Sequence, residues 1–360
     1  MDPKNPRIRS SVRTMSPYIP GEQPKMPDIV KLNTNENAYP PTPALRAVLD
    51  GIRVEDLRLY PEPDCDALRD TMAKTLSESL SLPALSPRNL FMANGSDEAL
   101  RLCIDAFCEQ DGSVGYVDPS YSLYPVLADI RGVAKRPVDM WPASPDATGL
   151  EWRVPEGYSA SVFFLTNPNA PTGHLFDKAA VRAFCESFPG VVVIDEAYAD
   201  FAGVSCIDLA LSLPNVLVCR TFSKAYSLAG LRMGLLIGSE ELMEALYAIK
   251  DSYNADRIAQ AVARAAIADQ AWMRGNVAKI LATRERLSGE LRARGWTVFD
   301  SATNFLWARP PASQKAADVF RHLREQAVIV RYWTGPRLCD YLRITVGTDA
   351  QIDRLLASLP

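Results

Sequence analysis

Six short and almost wholly apolar runs constrain this chain more than any other feature: Leu90–Ala93, Val114–Val117, Val162–Leu165, Val191–Ile194, Val216–Cys219 and Leu235–Ile237. Each has the length of a strand, and none alternates polar with apolar, so each must be covered on both faces. Helical segments such as Asp97–Cys108 and Lys178–Ser187 separate several of them. Buried strands with helical crossovers imply an α/β fold with a mostly parallel central sheet flanked by helices. Ligands of such sheets bind outside the carboxyl ends of the strands. Polar residues directly following a run are therefore the first place to look for chemistry.

At 360 residues the chain is too long for one small core, which implies a large domain and a smaller one. The first 42 residues read as an N-terminal arm, since prolines at 3, 6, 17, 20, 24, 27, 40 and 41 forbid a long helix there. Residues 43–254 read as the large domain. Within it Leu68, Met72, Leu76 and Leu80 fall four apart on one helical face. Residues 255–360 read as a smaller α+β domain. It opens with an Ala-rich helical stretch from Asp256 to Arg294, broken near Gly275. Strand-like segments follow at Asn304–Ala308, Val328–Arg331 and Tyr341–Val346.

Composition narrows the function. The formal charge of −4 carries no block of one sign, so neither a nucleic acid nor a membrane surface is an expected partner. The seven cysteines are odd in number and show no C-x-x-C, as expected of reduced thiols in a cytoplasmic protein. With two histidines and no paired spacing, no metal site is expected. Neither a signal peptide's apolar core nor a membrane-length run is present.

Four polar clusters follow four of the runs. Asn94-Gly-Ser-Asp-Glu98 opens a helix, where exposed amides suit a phosphate, although Ser and Asp at a helix start are also ordinary caps. Thr166-Asn-Pro-Asn-Ala-Pro-Thr-Gly173 is a rigid polar turn. Asp195 puts a carboxylate at the end of an apolar run, which is costly unless a cation or strong donor meets it. As a bland alternative it caps the next helix. In Arg220-Thr-Phe-Ser-Lys224 and the residues up to Gly234, Thr221, Ser223 and Arg232 can surround a phosphate beside Lys224. A lysine is usually a solvated surface charge; one at the mouth of a buried strand can lose its proton and act as a nucleophile. A Schiff-base lysine, an acid for a pyridine nitrogen and phosphate donors together are the needs of pyridoxal 5'-phosphate.

Thr221-Phe-Ser-Lys224 with Gly230-Leu-Arg-Met-Gly234 resembles the lysine signature of class I/II aminotransferases, which implies fold type I. Leu32-Asn-Thr-Asn-Glu-Asn37, Leu59-Tyr-Pro61, Gly95-Ser-Asp-Glu98, Pro119-Ser-Tyr121 and Leu342-Arg-Ile-Thr-Val-Gly-Thr348 resemble the histidinol-phosphate aminotransferases, from about Ser16 to the C-terminus. The resemblance implies that Lys224 holds the cofactor and shuttles the proton. Asp195 would hold the pyridine nitrogen, Tyr198 the ring hydroxyl, and Tyr121 would stack on the ring. Gly95, Ser96, Asp97, Ser223 and Arg232 would take the phosphate with Thr221 nearby. Tyr60 would reach the cofactor of a second subunit, which implies a homodimer. Arg343, helped by Arg331 and Tyr18, would bind the substrate anion. Amino donor and 2-oxo acid would react in turn. Most members have asparagine where this chain has Ala170, so either Tyr198 serves the ring hydroxyl alone or Asn169 or Asn167 substitutes. Aromatic transamination and threonine-phosphate decarboxylation on the same scaffold remain alternatives. A ligand-sensing regulator would need a DNA-binding module for which the arm is too short.

Overall fold

The computed structural model describes residues 7–82, 85–142 and 149–360; the first six residues of the arm lie outside them. In chain order the strands are β1 (Val30–Leu32), β2 (Leu90–Ala93), β3 (Ser113–Asp118), β4 (Ala134–Pro142), β5 (Leu150–Trp152), β6 (Val162–Thr166), β7 (Val191–Asp195), β8 (Val216–Thr221), β9 (Gly234–Ile237), β10 (Thr297–Val298), β11 (Phe305–Arg309), β12 (Val328–Tyr332) and β13 (Leu342–Thr345).

Strands β2 to β9 form one sheet in the order β2-β9-β8-β7-β6-β3-β4-β5. Neighbours from β4 through β3, β6 and β7 to β8 run parallel, whereas β9 is antiparallel to both β8 and β2. All six apolar runs are strands of this sheet. Their residues alternate between two cores: Phe163, Leu165, Val192 and Ile194 face one, Val162, Phe164 and Val193 the other. Burying such a side chain stabilises by ~1.5–3 kcal/mol, which explains why neither face can carry polar residues. β4 escapes sequence pattern because Lys135, Arg136 and Pro137 interrupt it, and only Val138 and Met140 are buried.

The smaller sheet runs β1-β12-β13-β11-β10 over a core that includes Leu306, Val328, Val330, Leu342 and Ile344. Its first strand comes from the arm and pairs in parallel with β12. The helical stretch after Asp256 breaks at Asp269 rather than at Gly275. Asp256 and Asp269 each accept a hydrogen bond from a backbone amide three residues on, at 2.8 and 3.1 Å, and so cap helices Arg257–Ala268 and Gln270–Ala293. A helix start needs such a cap more than it fears one glycine, and Gly275 lies inside the second helix. The first of these helices packs Ala259, Val262 and Ala266 into the core that holds Leu68 and Met72, on the large sheet. Among the described residues no helix is long and apolar enough to cross a membrane.

Candidate functional site

A cavity of about 490 Å³ opens at the carboxyl ends of the parallel strands. It is lined by Ser96, Asp97, Tyr121, Asp195, Tyr198, Thr221, Ser223, Lys224 and Arg232, and by Tyr18, Arg331 and Arg343. Twelve of the residues expected from sequence thus line one cavity.

At its phosphate-like end the chain turns from β2 into helix Gly95–Phe107 through Gly95, whose φ is +81°. The positive φ favours glycine, and a Cβ there would stand 2.7 Å from Arg232 Nη2 and displace the guanidinium. No side chain caps this helix at Asn94, which leaves its first-turn amides without the usual side-chain acceptor. Thr221 Oγ1 donates to Ser223 Oγ at 3.0 Å beside them. Asp97 bridges the group: its carboxylate accepts from Arg232 Nη2 at 3.0 Å and from Tyr121 Oη at 3.1 Å. Hydroxyls, amides and a guanidinium around open space fit a phosphate.

Asp195 ends β7 and is buried at 4% exposure. Its Oδ2 accepts from Tyr124 Oη at 2.8 Å and its Oδ1 from the Ala197 amide at 3.1 Å. The following helix, Ala199–Ala202, has Tyr198 as its N-cap, so Asp195 is not a helix cap. Burial pushes its pKa up to about 6, against the pull of the Tyr124 hydrogen bond. A carboxylate raised this far in a cavity wall is one that a protonated ring nitrogen would stabilise.

Lys224 is half-buried, and its Nζ donates to the Thr34 carbonyl at 3.2 Å. Desolvation first, then the Arg343 charge, lowers its pKa to about 8. A large neutral fraction at physiological pH suits an attacking amine.

The opposite end is made by the smaller sheet. Arg331 and Arg343 are direct cross-strand partners on β12 and β13. Like charges in that position repel, an arrangement that gains meaning if an anion sits between them. Both guanidiniums lie over Trp333, at 5.2 and 5.3 Å from its ring centre, and Arg343 also lies 5.2 Å from Phe305. Arg343 Nη2 donates to the Asn33 carbonyl at 2.9 Å, and Arg331 donates to the carbonyls of Ile19 and Pro20 at 3.3 Å. Tyr18 meets Tyr121 edge to face at 5.8 Å.

Four residues named from sequence stand apart. Gly95 shapes the wall without lining it. Asn169 is fully buried off the wall, where its Oδ1 accepts from Thr172 Oγ1 and closes the turn; Ala170 occupies the wall instead. Asn167 is also spent on the turn, accepting from the Phe176 amide at 3.1 Å. Tyr60 is 77% exposed, stacked on Tyr253 at 4.3 Å, outside the cavity. Sequence reasoning missed Tyr124, Thr166, Asn35 and Trp333. Tyr124 could have been found three residues beyond Tyr121, and Asn35 inside Leu32–Asn37.

The fold and this site define a fold type I enzyme built to hold pyridoxal phosphate. The sequence model described as "Aminotransferase class I and II" matches residues 27–359, and the chain belongs to that family of pyridoxal-phosphate-dependent transaminases. It is 39% identical over 356 residues to histidinol-phosphate aminotransferase of Geotalea uraniireducens, covering 98% of each chain. It is 43% identical over 356 residues to histidinol-phosphate aminotransferase 2 of Thiobacillus denitrificans, covering 97% of this chain and 95% of that one. The crystal structure of histidinol-phosphate aminotransferase from Sinorhizobium meliloti in complex with pyridoxal-5'-phosphate superposes with a TM-score of 0.83, at 25% identity over 98% of this chain and 96% of that one.

Proposed function

We propose that this aminotransferase moves the amino group of histidinol phosphate to 2-oxoglutarate, giving imidazole acetol phosphate and glutamate. The observation that carries the reading is the facing pair Arg331 and Arg343, bracketed by Trp333 and open to the cavity. A phosphate on the donor and a carboxylate on the acceptor can each use the same forked cations. The names of the Geotalea and Thiobacillus relatives support that choice of donor.

When bound, pyridoxal phosphate supplies an electrophilic carbon and an electron sink. Lys224 would hold it covalently, yield to the donor's amine, and then carry the proton from the donor's Cα. Asp195 would keep the ring nitrogen protonated. Tyr198 would donate to the ring oxygen, and Tyr121 would cover the ring face. Ser96, Asp97 through its amide, Ser223 and Arg232 would grip the phosphate. We assign Tyr60 to the phosphate of a second copy's site, in a cytoplasmic homodimer. Val54, Leu57, Leu59 and Tyr60 support this, because each is at least half exposed in one short segment. We draw the division between the large and small units after residue 254, with helix Arg257–Ala268 packed back onto the large core.

The test is steady-state turnover with a panel of donors. Histidinol phosphate should exceed phenylalanine in kcat/KM and give an oxo product. Carbon dioxide release from a phosphorylated amino acid, or equal use of neutral aromatic donors, would replace this reading with a decarboxylase or a broad aminotransferase.

A further inference from the structure

The Leu32–Asn37 segment leaves β1 and crosses from the smaller sheet to the cavity, and its polar groups hold the site together. The Asn33 carbonyl accepts from Arg343, the Thr34 carbonyl accepts from Lys224 Nζ, and Asn37 Nδ2 donates to the carbonyls of Lys224 and Ala225 at 3.1 and 3.2 Å. Asn35 reaches Tyr198, on the cavity wall, by its own side chain. Its Nδ2 lies 2.9 Å from Tyr198 Oη, and both residues are buried on the cavity wall.

The orientation of that amide is fixed from the other side. Thr345 Oγ1 donates to Asn35 Oδ1 at 3.0 Å and accepts from the Asn35 amide N–H at 3.0 Å. Asn304 Nδ2 donates to the Asn35 carbonyl at 3.0 Å. With Oδ1 taken by a donor, the side-chain NH₂ must be what faces the phenol. Asn35 reaches this place with φ at 56°, a left-handed conformation that asparagine adopts more readily than most residues. Tyr198 Oη therefore receives a hydrogen bond, and its own proton is left to point elsewhere. The neighbouring wall residue, Ala170, presents only a methyl group.

We propose that Asn35 is a positioning residue that turns the Tyr198 hydroxyl so that it donates into the cavity, making the phenol the donor to the bound cofactor's ring oxygen where Ala170 supplies none. The proposal rests on the cofactor reading above. A hydrogen bond donated to that oxygen favours its anionic form and lowers the pH at which the loaded enzyme changes colour. Asn35→Gly tolerates the positive φ and removes the amide. It should raise the midpoint of the visible pH titration by about half to one pH unit, the effect of one hydrogen bond. Asn35→Asp keeps the shape but offers Tyr198 only acceptors, so it should raise the midpoint further. It also serves if the glycine variant does not fold. In a Tyr198→Phe background, Asn35→Gly should add nothing, and Ala170→Asn should bring the midpoint of Asn35→Gly back down. A midpoint unmoved by Asn35→Asp or Asn35→Gly, or equal shifts with and without the Tyr198 hydroxyl, overturns the proposal while leaving a coloured wild-type enzyme and the function intact. A wild-type protein that stays colourless with pyridoxal phosphate overturns both.

Discussion

At one end of the cavity, Ser96, Asp195, Thr221 and Lys224 stand at or just beyond the ends of strands of the larger sheet. At the other, Tyr18, Arg331 and Arg343 arrive from the arm and from two strands of the smaller sheet. The first end is placed by a parallel sheet, which brings its strand ends together, with the Leu32–Asn37 segment bracing Lys224 and Tyr198. The second exists only when two sheets and an arm are brought together. The contrast assigns different work to each. Damage at the sheet end should affect every substrate alike, whereas damage at the assembled end should depend on the charge of the substrate.

The sheet end gives the largest expected effect. Lys224→Ala should abolish covalent attachment of the cofactor and lower turnover more than about 10³-fold for every donor, since both nucleophile and proton carrier are lost. Mass spectrometry after borohydride reduction reads the attachment, and pyridoxal phosphate found on another lysine would sink the assignment. The same amine predicts a pH dependence. Its pKa is lowered to about 8, so the attacking neutral form accumulates as pH rises. The rate of cofactor uptake by apoenzyme should climb from pH 6 to 8 and flatten above, well below the range of an ordinary lysine.

Asp195→Asn comes next. A neutral amide cannot hold the ring nitrogen's proton, and losing a charge pair at a buried site costs about 3 kcal/mol, or 10²-fold or more in rate. Some cofactor should remain bound through the phosphate end. Near-normal turnover with any donor would break the comparison, because the carboxylate would then be no more than a fixture of the turn.

Arg343→Lys tests the assembled end. The charge stays, but the fork and its packing between Trp333 and Phe305 are lost. One charge-assisted hydrogen bond of about 1.5–3 kcal/mol predicts a roughly 10- to 100-fold fall in kcat/KM for histidinol phosphate. The 2-oxoglutarate half-reaction should weaken too, and phenylalanine should lose less. Equal small losses for both donors would make Arg343 structural.

How much was legible follows the same contrast. The six apolar runs all became strands of one sheet, because residues buried on both faces leave a signal that no crossover helix hides. Lys224, Asp195, Thr221 and Arg232 were legible because each lies within a contiguous motif. The packing of Trp333 on two arginines was not, since its partners meet across a sheet that periodicity alone cannot register. Asn169 shows the limit of motifs: a neighbour of the expected position turned its amide into the loop, and the position itself holds an alanine. Asn35 was quoted within a motif, but its partner Tyr198 lies far along the chain, and nothing local announces the bond.

Tyr124 offers the smallest effect and the sharpest separation of the two ends. Its phenol is fully buried, stacks on Phe164 at 4.7 Å, and donates to Asp195 Oδ2 while pairing with Thr166 Oγ1 at 2.6 Å. Tyr124→Phe keeps the packing and removes one donor, leaving the buried carboxylate short of a partner at a cost of about 1–2 kcal/mol. Turnover should fall about 5- to 30-fold. The direction with pH follows from the cause. The Tyr124 hydrogen bond holds the Asp195 pKa down against burial, so without it the carboxylate protonates at higher pH. The acid limb of the kcat profile should therefore move upward, and the loss should grow as pH falls. It should be the same for histidinol phosphate and phenylalanine, because the ring nitrogen is common to both. A loss confined to the phosphorylated donor, or an unmoved acid limb, would place Tyr124 outside the proton's reach and leave Asp195 held by the Ala197 amide alone.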